Sequence, residues 1–122
     1  MKNIINLILA LITKQKRLRE QLVFFSQMVN TDIRWLSPAY PNLVSICNQV
    51  LQVYKTCESV KCSKSKMMEQ LHYFLIDYRN DNELNTHESM LINRYEYILK
   101  RNWMEFSIED IASFRNRLNE IK

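Results

Sequence analysis

Apolar positions at the start of the chain repeat at alternating spacings of four and three: Ile4, Ile8, Leu11, Gln15, Leu18, Leu22, Phe25 and Val29. That spacing keeps one face of a helix apolar and predicts a long first helix over about residues 2–29, with Gln15 as a single polar break in a heptad-like stripe. Ile5, Leu7, Leu9 and Ile12 widen the apolar surface of its first half, so that half is expected to be contacted from more than one side, and a second copy of the chain is one candidate partner for it. The polar triplet "NTD" at 30–32 reads as the end of the run.

Four further amphipathic segments follow. The second helix begins after "WLSPAYP", either with Ser37 as cap and Pro38 in the first turn or at Pro41, and carries Leu43, Cys47, Val50, Tyr54 and Cys57 on one stripe. The third starts near Ser63 or Ser65 and uses Met67, Met68, Leu71, Phe74, Leu75 and Tyr78, with "RNDNELN" at 79–85 as a polar connection. In the fourth, Asn85 with Glu88 three residues on has the form of a capping box, ahead of Leu91, Tyr95 and Ile98. The fifth opens on Ser107, with Asp110 three residues later and a Phe106–Ile111 staple, and turns Ile111, Phe114, Leu118 and Ile121 inward. The expected fold is therefore all-α: a compact bundle of about five helices with a long N-terminal helix, forming one domain over 1–122.

Composition sharpens this picture. The 122 residues hold no glycine and only two prolines. Tight hairpins and glycine-rich phosphate loops both call for glycine, so its absence argues against sheets and doubly wound nucleotide folds. The run from Ile4 to Ile12 is far short of the roughly 20 residues that cross a bilayer, and no membrane insertion is expected. Lys2 before a run of that length resembles the start of a secretory signal, but "TKQKRLRE" follows in place of a small-residue cleavage site and the apolar register continues past it. A cytoplasmic location, or the host-cell cytosol for a viral protein, is the resulting expectation, and three cysteines cannot all pair within one chain.

Candidate chemistry is sparse. Cys57 and Cys62 are separated by four residues in "KTCESVKCSKSK", with Cys47 upstream and His72 and His87 downstream. A closed zinc site favours two tight ligand pairs, and this spacing offers one loose pair, so neither a metal nor another cofactor is expected. Cys47 and Cys57 lie on the apolar stripe of the second helix, where a free cysteine packs as a small hydrophobe. Glu109 and Asp110 are explained by the helix start they occupy. No phosphate loop or nucleophile elbow occurs, and no catalytic residue is assigned.

Charge is divided unevenly. Residues 1–66 contain ten Lys or Arg against three acids, and residues 67–122 seven against ten, which together give the net +4. Two basic clusters stand out: Lys14, Lys16, Arg17 and Arg19 in the first helix, and Lys55, Lys61, Lys64 and Lys66 around the 57–66 turn. Apolar aromatics collect in the connections, where Trp35, Leu36, Tyr40, Trp103 and Met104 are candidate protein-contact residues of the kind favoured at interfaces. The functional expectation is a small non-enzymatic protein-binding module, such as an inhibitor, immunity factor, chaperone or assembly subunit, whose partner is another protein or a second copy of itself. The alternative is a basic nucleic-acid-binding accessory protein using Lys14, Lys16, Arg17, Arg19, Lys61, Lys64 and Lys66, although no exposed aromatics interleave with these clusters.

Overall fold

The computed structural model describes residues 2–100 and 108–120, with the side chains of 3–100 and 112–120. In chain order the helices are α1 (Lys2–Leu36), α2 (Pro41–Ser59), α3 (Lys64–Asp81), α4 (Thr86–Lys100) and α5 (Ile108–Glu120). No strand occurs among the described residues, and the fold is the all-α bundle that the periodicity predicts.

α1 runs two turns beyond the expected stop at residue 29, straight through "NTD". Each member of the triplet has a place inside the helix. Asn30 Nδ2 donates to the Ser26 carbonyl and Thr31 Oγ1 to the Gln27 carbonyl, one turn back, so neither competes with the helical ladder. Asp32 faces inward, and its Oδ2 accepts from Arg94 and Tyr95 of α4. The spacing explains this, because Asp32 stands three residues after Val29 and Leu36 four after that. The four-three stripe therefore continues through an acid. The helix closes with the Ser37 amide on the Ile33 carbonyl and the Tyr40 amide on the Leu36 carbonyl.

Pro41 is the first residue of α2, the second of the two expected starts, and its fixed φ suits that position. The other end of α2 answers what the cysteine-lysine stretch is. Lys61 has φ 56°, the Cys62 amide donates to the Cys57 carbonyl at 3.0 Å, and the Lys61 amide to the Glu58 carbonyl at 3.1 Å. This pair of bonds is a Schellman motif, with Lys61 in the left-handed position usually held by glycine and Cys57 and Cys62 at the two positions whose side chains touch. A chain without glycine carries that conformation on a lysine, at a cost of roughly 1–2 kcal/mol. One residue later Ser63 caps α3, its hydroxyl accepting from the Lys66 amide.

α4 begins with the capping box expected from the sequence: Glu88 N–H donates to Asn85 Oδ1 at 2.8 Å and Asn85 N–H to Glu88 Oε1 at 3.2 Å. α5 begins at Ile108. The cap and staple expected from Phe106, Ser107, Asp110 and Ile111 lie outside the described side chains.

Four helical segments form the body: the C-terminal half of α1 with α2, α3 and α4. Leu22, Phe25 and Val29 of α1 meet Ile46 and Val50 of α2, Leu71 and Leu75 of α3, and Leu91, Tyr95 and Ile98 of α4 in one apolar core. Phe114 and Leu118 of α5 join it from one side. Burying each such side chain contributes about 1.5–3 kcal/mol, which is why packing and not helix propensity holds the helices.

Candidate docking surface

The body begins near Leu18, and the preceding part of α1 projects from it. Every residue from Asn3 to Arg17 is exposed. This stretch, about four turns long, is called the arm below. Gln21 marks the junction: its side-chain amide donates to the carbonyls of Ile98 and Leu99 in the last turn of α4, at 3.1 and 2.9 Å. By these two bonds Gln21 ties the root of the arm to the body.

The arm carries Ile4, Ile5, Leu7, Ile8, Leu9, Leu11 and Ile12, each 51–64 % exposed. The wide apolar surface expected to be contacted from several sides therefore has no such contact among the described residues. Scattered exposed aliphatics are ordinary on protein surfaces, but seven within nine residues make a continuous patch. Lys14, Lys16, Arg17 and Arg19 follow immediately, all exposed. At the second basic cluster Lys55, Lys61 and Lys66 are exposed and Lys64 is half-buried.

The aromatic connection occupies the other end of α1 and has a different character. Leu36 is fully buried in the core, so it offers a partner nothing to touch. Trp35 and Tyr40 are half-buried and stacked on each other with ring centroids 6.2 Å apart. The Arg115 guanidinium lies 5.3 Å above the Trp35 ring, Tyr40 meets the edge of His87 at 5.4 Å, and the Tyr40 hydroxyl bonds to Asn119 Oδ1 at 3.0 Å. His87 in turn bonds through Nε2 to the Leu118 carbonyl. These side chains fasten α5 onto the body. Trp103 and Met104, the other two expected contact residues, lie outside the described residues.

A buried polar cluster that the sequence reading did not single out lies between α1, α2 and α4. Asp32 Oδ2 accepts from Arg94 Nη1 and from the Tyr95 hydroxyl, both at 2.7 Å. Cys47 Sγ lies 3.2 Å from the same hydroxyl. Phe25 packs edge-on against Tyr95, and the Arg94 guanidinium sits 4.3 Å above the Phe114 ring. Arg94 Nη2 finds no hydrogen-bond acceptor among the described residues, and the aromatic face takes that place. Burial pushes the Cys47 thiol up to about 12, and burial followed by the nearby Asp32 charge raises the Tyr95 phenol well above its ordinary value. Both groups hold their protons at neutral pH, and the cluster ties α1 and α2 to α4 as a polar clamp.

Between α3 and α4 the Arg79 guanidinium pairs with buried Glu96 at 2.9 Å. Burial, aided by Lys100, lowers the pKa of half-buried His72. Burial, and next the Cys62 thiol, raises that of Cys57. Among the described residues no three His, Cys, Asp or Glu side chains come together to hold a metal ion. A groove of about 410 Å³ between α2 and α3 is lined by Gln49, Gln52, Gln70, Thr56, Val53, Cys57 and Phe74, and brings no acid–base pair into reach. No helix among the described residues is long and apolar enough to cross a membrane. Comparison with protein-family models, with curated proteins and with solved structures finds no match to this chain.

Proposed function

We propose that the chain is a small non-enzymatic binding module in which the arm of α1 is the docking element and the body holds and presents it. The observation that supports this is the row of seven exposed aliphatics on a helix whose other half is packed in the core. Amphipathic helices of this kind dock by laying an apolar face onto an apolar surface, whether a groove on another protein, a second copy of the chain or the boundary of a lipid layer. The fastening of α5 by Trp35 and Tyr40, and the burial of Leu36, direct the docking role away from the aromatic connection and onto the arm. The test is a double substitution, Ile8→Asp with Leu11→Asp. Capture of partners from the native host is expected to be lost while the thermal midpoint stays in place. Capture that is undiminished in the double variant would defeat this reading.

The basic clusters favour a second reading, contact with nucleic acid, because Lys14, Lys16, Arg17 and Arg19 are all exposed on one short stretch of helix. That reading requires affinity that falls steeply with salt and is weakened when these four become alanine. A salt-insensitive or unchanged affinity ends it.

A further inference from the structure

The arm leaves a choice of what covers it, and charge together with angular width decides the choice. Residues 2–19 hold five cations, Lys2, Lys14, Lys16, Arg17 and Arg19, and the first acid is Glu20. At 3.6 residues per turn, the seven exposed aliphatics fill a continuous sector of roughly 200° around the arm, from Leu7 through Ile4 and Ile8 to Leu9. Asn3, Asn6 and Thr13 occupy the opposite sector, and the Thr13 hydroxyl is turned back onto the Leu9 carbonyl. Carried on at the same pitch, Lys16 and Arg19 fall inside the aliphatic sector and Lys14 at its edge. The apolar face thus runs into a basic face on the same side of one helix.

A second copy of the chain fits this poorly. Two paired helices bury a narrow seam, which is less than the sector presented here. The apolar stretch from Ile4 to Ile12 covers little more than one heptad, where helix pairing of this type is sustained over three or four. Laid arm against arm, the copy would also bring the same cations, and neither arm holds an acid to meet them. An anionic lipid surface has neither limit: it closes around whatever sector is presented, and its headgroups complement the cations beside that sector.

We infer that the arm is an in-plane anchor for an anionic lipid bilayer. Its aliphatic sector lies at the boundary of headgroups and acyl chains, and Lys14, Lys16 and Arg19 meet headgroup phosphates. A helix lying in the interface needs no spanning length, which the arm does not have. An apolar face and a basic patch together supply the two signals that stable surface anchoring requires. This inference rests on the arm being the docking element and names the surface on which it docks.

The experiment is flotation of the full chain with vesicles of phosphatidylcholine alone and of phosphatidylcholine with phosphatidylglycerol, alongside light scattering without lipid. The chain is expected to float with the anionic vesicles and to partition about ten-fold or more weakly to the neutral ones. Neutralising Lys14, Lys16 and Arg19 to glutamine should cost about ten-fold or more in the same partition. Ile8→Asp with Leu11→Asp should abolish flotation without moving the thermal midpoint. Flotation that survives the aspartates would reduce the contact to charge attraction alone and overturn the anchor. A dimer or larger assembly in lipid-free solution that does not float would give the arm to a second copy, leaving the docking reading intact and the lipid inference refuted. A monomer that does not float refutes the inference as well. Amide exchange separates that result from failure of the docking reading itself: core-like protection of residues 4–12 in the lipid-free monomer would mean that the arm packs on its own body.

Discussion

The two halves of α1 share one helix and one four-three stripe yet stand in opposite environments. From Leu22 to Leu36 the stripe is buried at every turn, and from Ile4 to Leu11 it is exposed. The shared stripe does not separate the halves, and the extra aliphatics Ile5, Leu7, Leu9 and Ile12 would by themselves suggest that the first half is the more deeply packed. The difference lies in what crosses over to meet them. α2, α3 and α4 all reach the second half, and among the described residues none packs along the first. Seven aliphatics about half exposed leave on the order of 1 kcal/mol each of burial unrealised, enough together for a partner surface to collect.

The sharpest way to break the comparison is to make the same change in both halves. Leu22→Ala removes a fully buried side chain and is expected to cost about 2–5 kcal/mol in urea or thermal unfolding, with Phe25→Ala at about 3–5 kcal/mol. Asp32→Ala should cost a comparable ~3–5 kcal/mol, because it strands the Arg94 guanidinium in the interior beside Tyr95. A cost below about 1 kcal/mol for Leu22→Ala or Asp32→Ala would show that the body is not organised around this half of the helix.

Asp32 also shows how far the sequence could be read. The stripe reached Val29 and stopped there because "NTD" looks like a helix end, yet Asp32 and Leu36 lie on the same spacing. An acid at a stripe position is the signal of a buried pair, but its partner Arg94 is sixty-two residues away in α4. Nothing local in the sequence announces that partner. The capping box at Asn85 was legible because all of its atoms come from four consecutive residues. The Schellman turn at Lys61 was not, since that motif is normally flagged by a glycine and this chain has none. The breadth of the arm's apolar face was visible as a pattern, whereas its lack of contact among the described residues is a fact of the tertiary structure.

The buried half should also respond to alkali where the arm does not. Folded, the Cys47 thiol holds its proton up to about 12 against an ordinary 9.0. Between those values the unfolded state binds fewer protons, so the stability that this group contributes is complete below pH 9 and is lost as pH rises toward 12, by up to roughly 1.4 kcal/mol per pH unit. Tyr95 adds its own fall only above its ordinary 10.0, whereas the raised Cys57 thiol contributes from the same 9.0 as Cys47, so the Cys47 share is the difference between the native sequence and Cys47→Ala from pH 9 to 10. Denaturant midpoints measured across that interval should slope downward in the native sequence and less steeply in Cys47→Ala. An unchanged slope would mean that Cys47 is open to water.

Lys61 sets a smaller scale, as a single strained residue away from both halves. Replacing it with glycine relieves the left-handed conformation and should raise stability by about 1 kcal/mol, with the motif's two backbone bonds kept. A loss of stability in Lys61→Gly would show that the lysine side chain contributes more than its backbone strain costs.

Leu11→Ala, the counterpart of Leu22→Ala, is expected to have the smallest effect and carries the most information about the arm. Leu11 is exposed, so its truncation leaves no cavity, and alanine is the better helix former; the change in unfolding free energy should stay within about 0.5 kcal/mol of zero. The measurement belongs at low protein concentration and without lipid, where an unoccupied arm contributes nothing to the folded body. Repeating it with anionic vesicles present turns the same residue into a probe of docking. Anything that binds only the folded arm raises the midpoint of the native chain, and Leu11→Ala should lose part of that rise while leaving the lipid-free midpoint untouched. A Leu11→Ala cost like that of Leu22→Ala in dilute monomer would put the arm back against its own body and erase the distinction between the two halves.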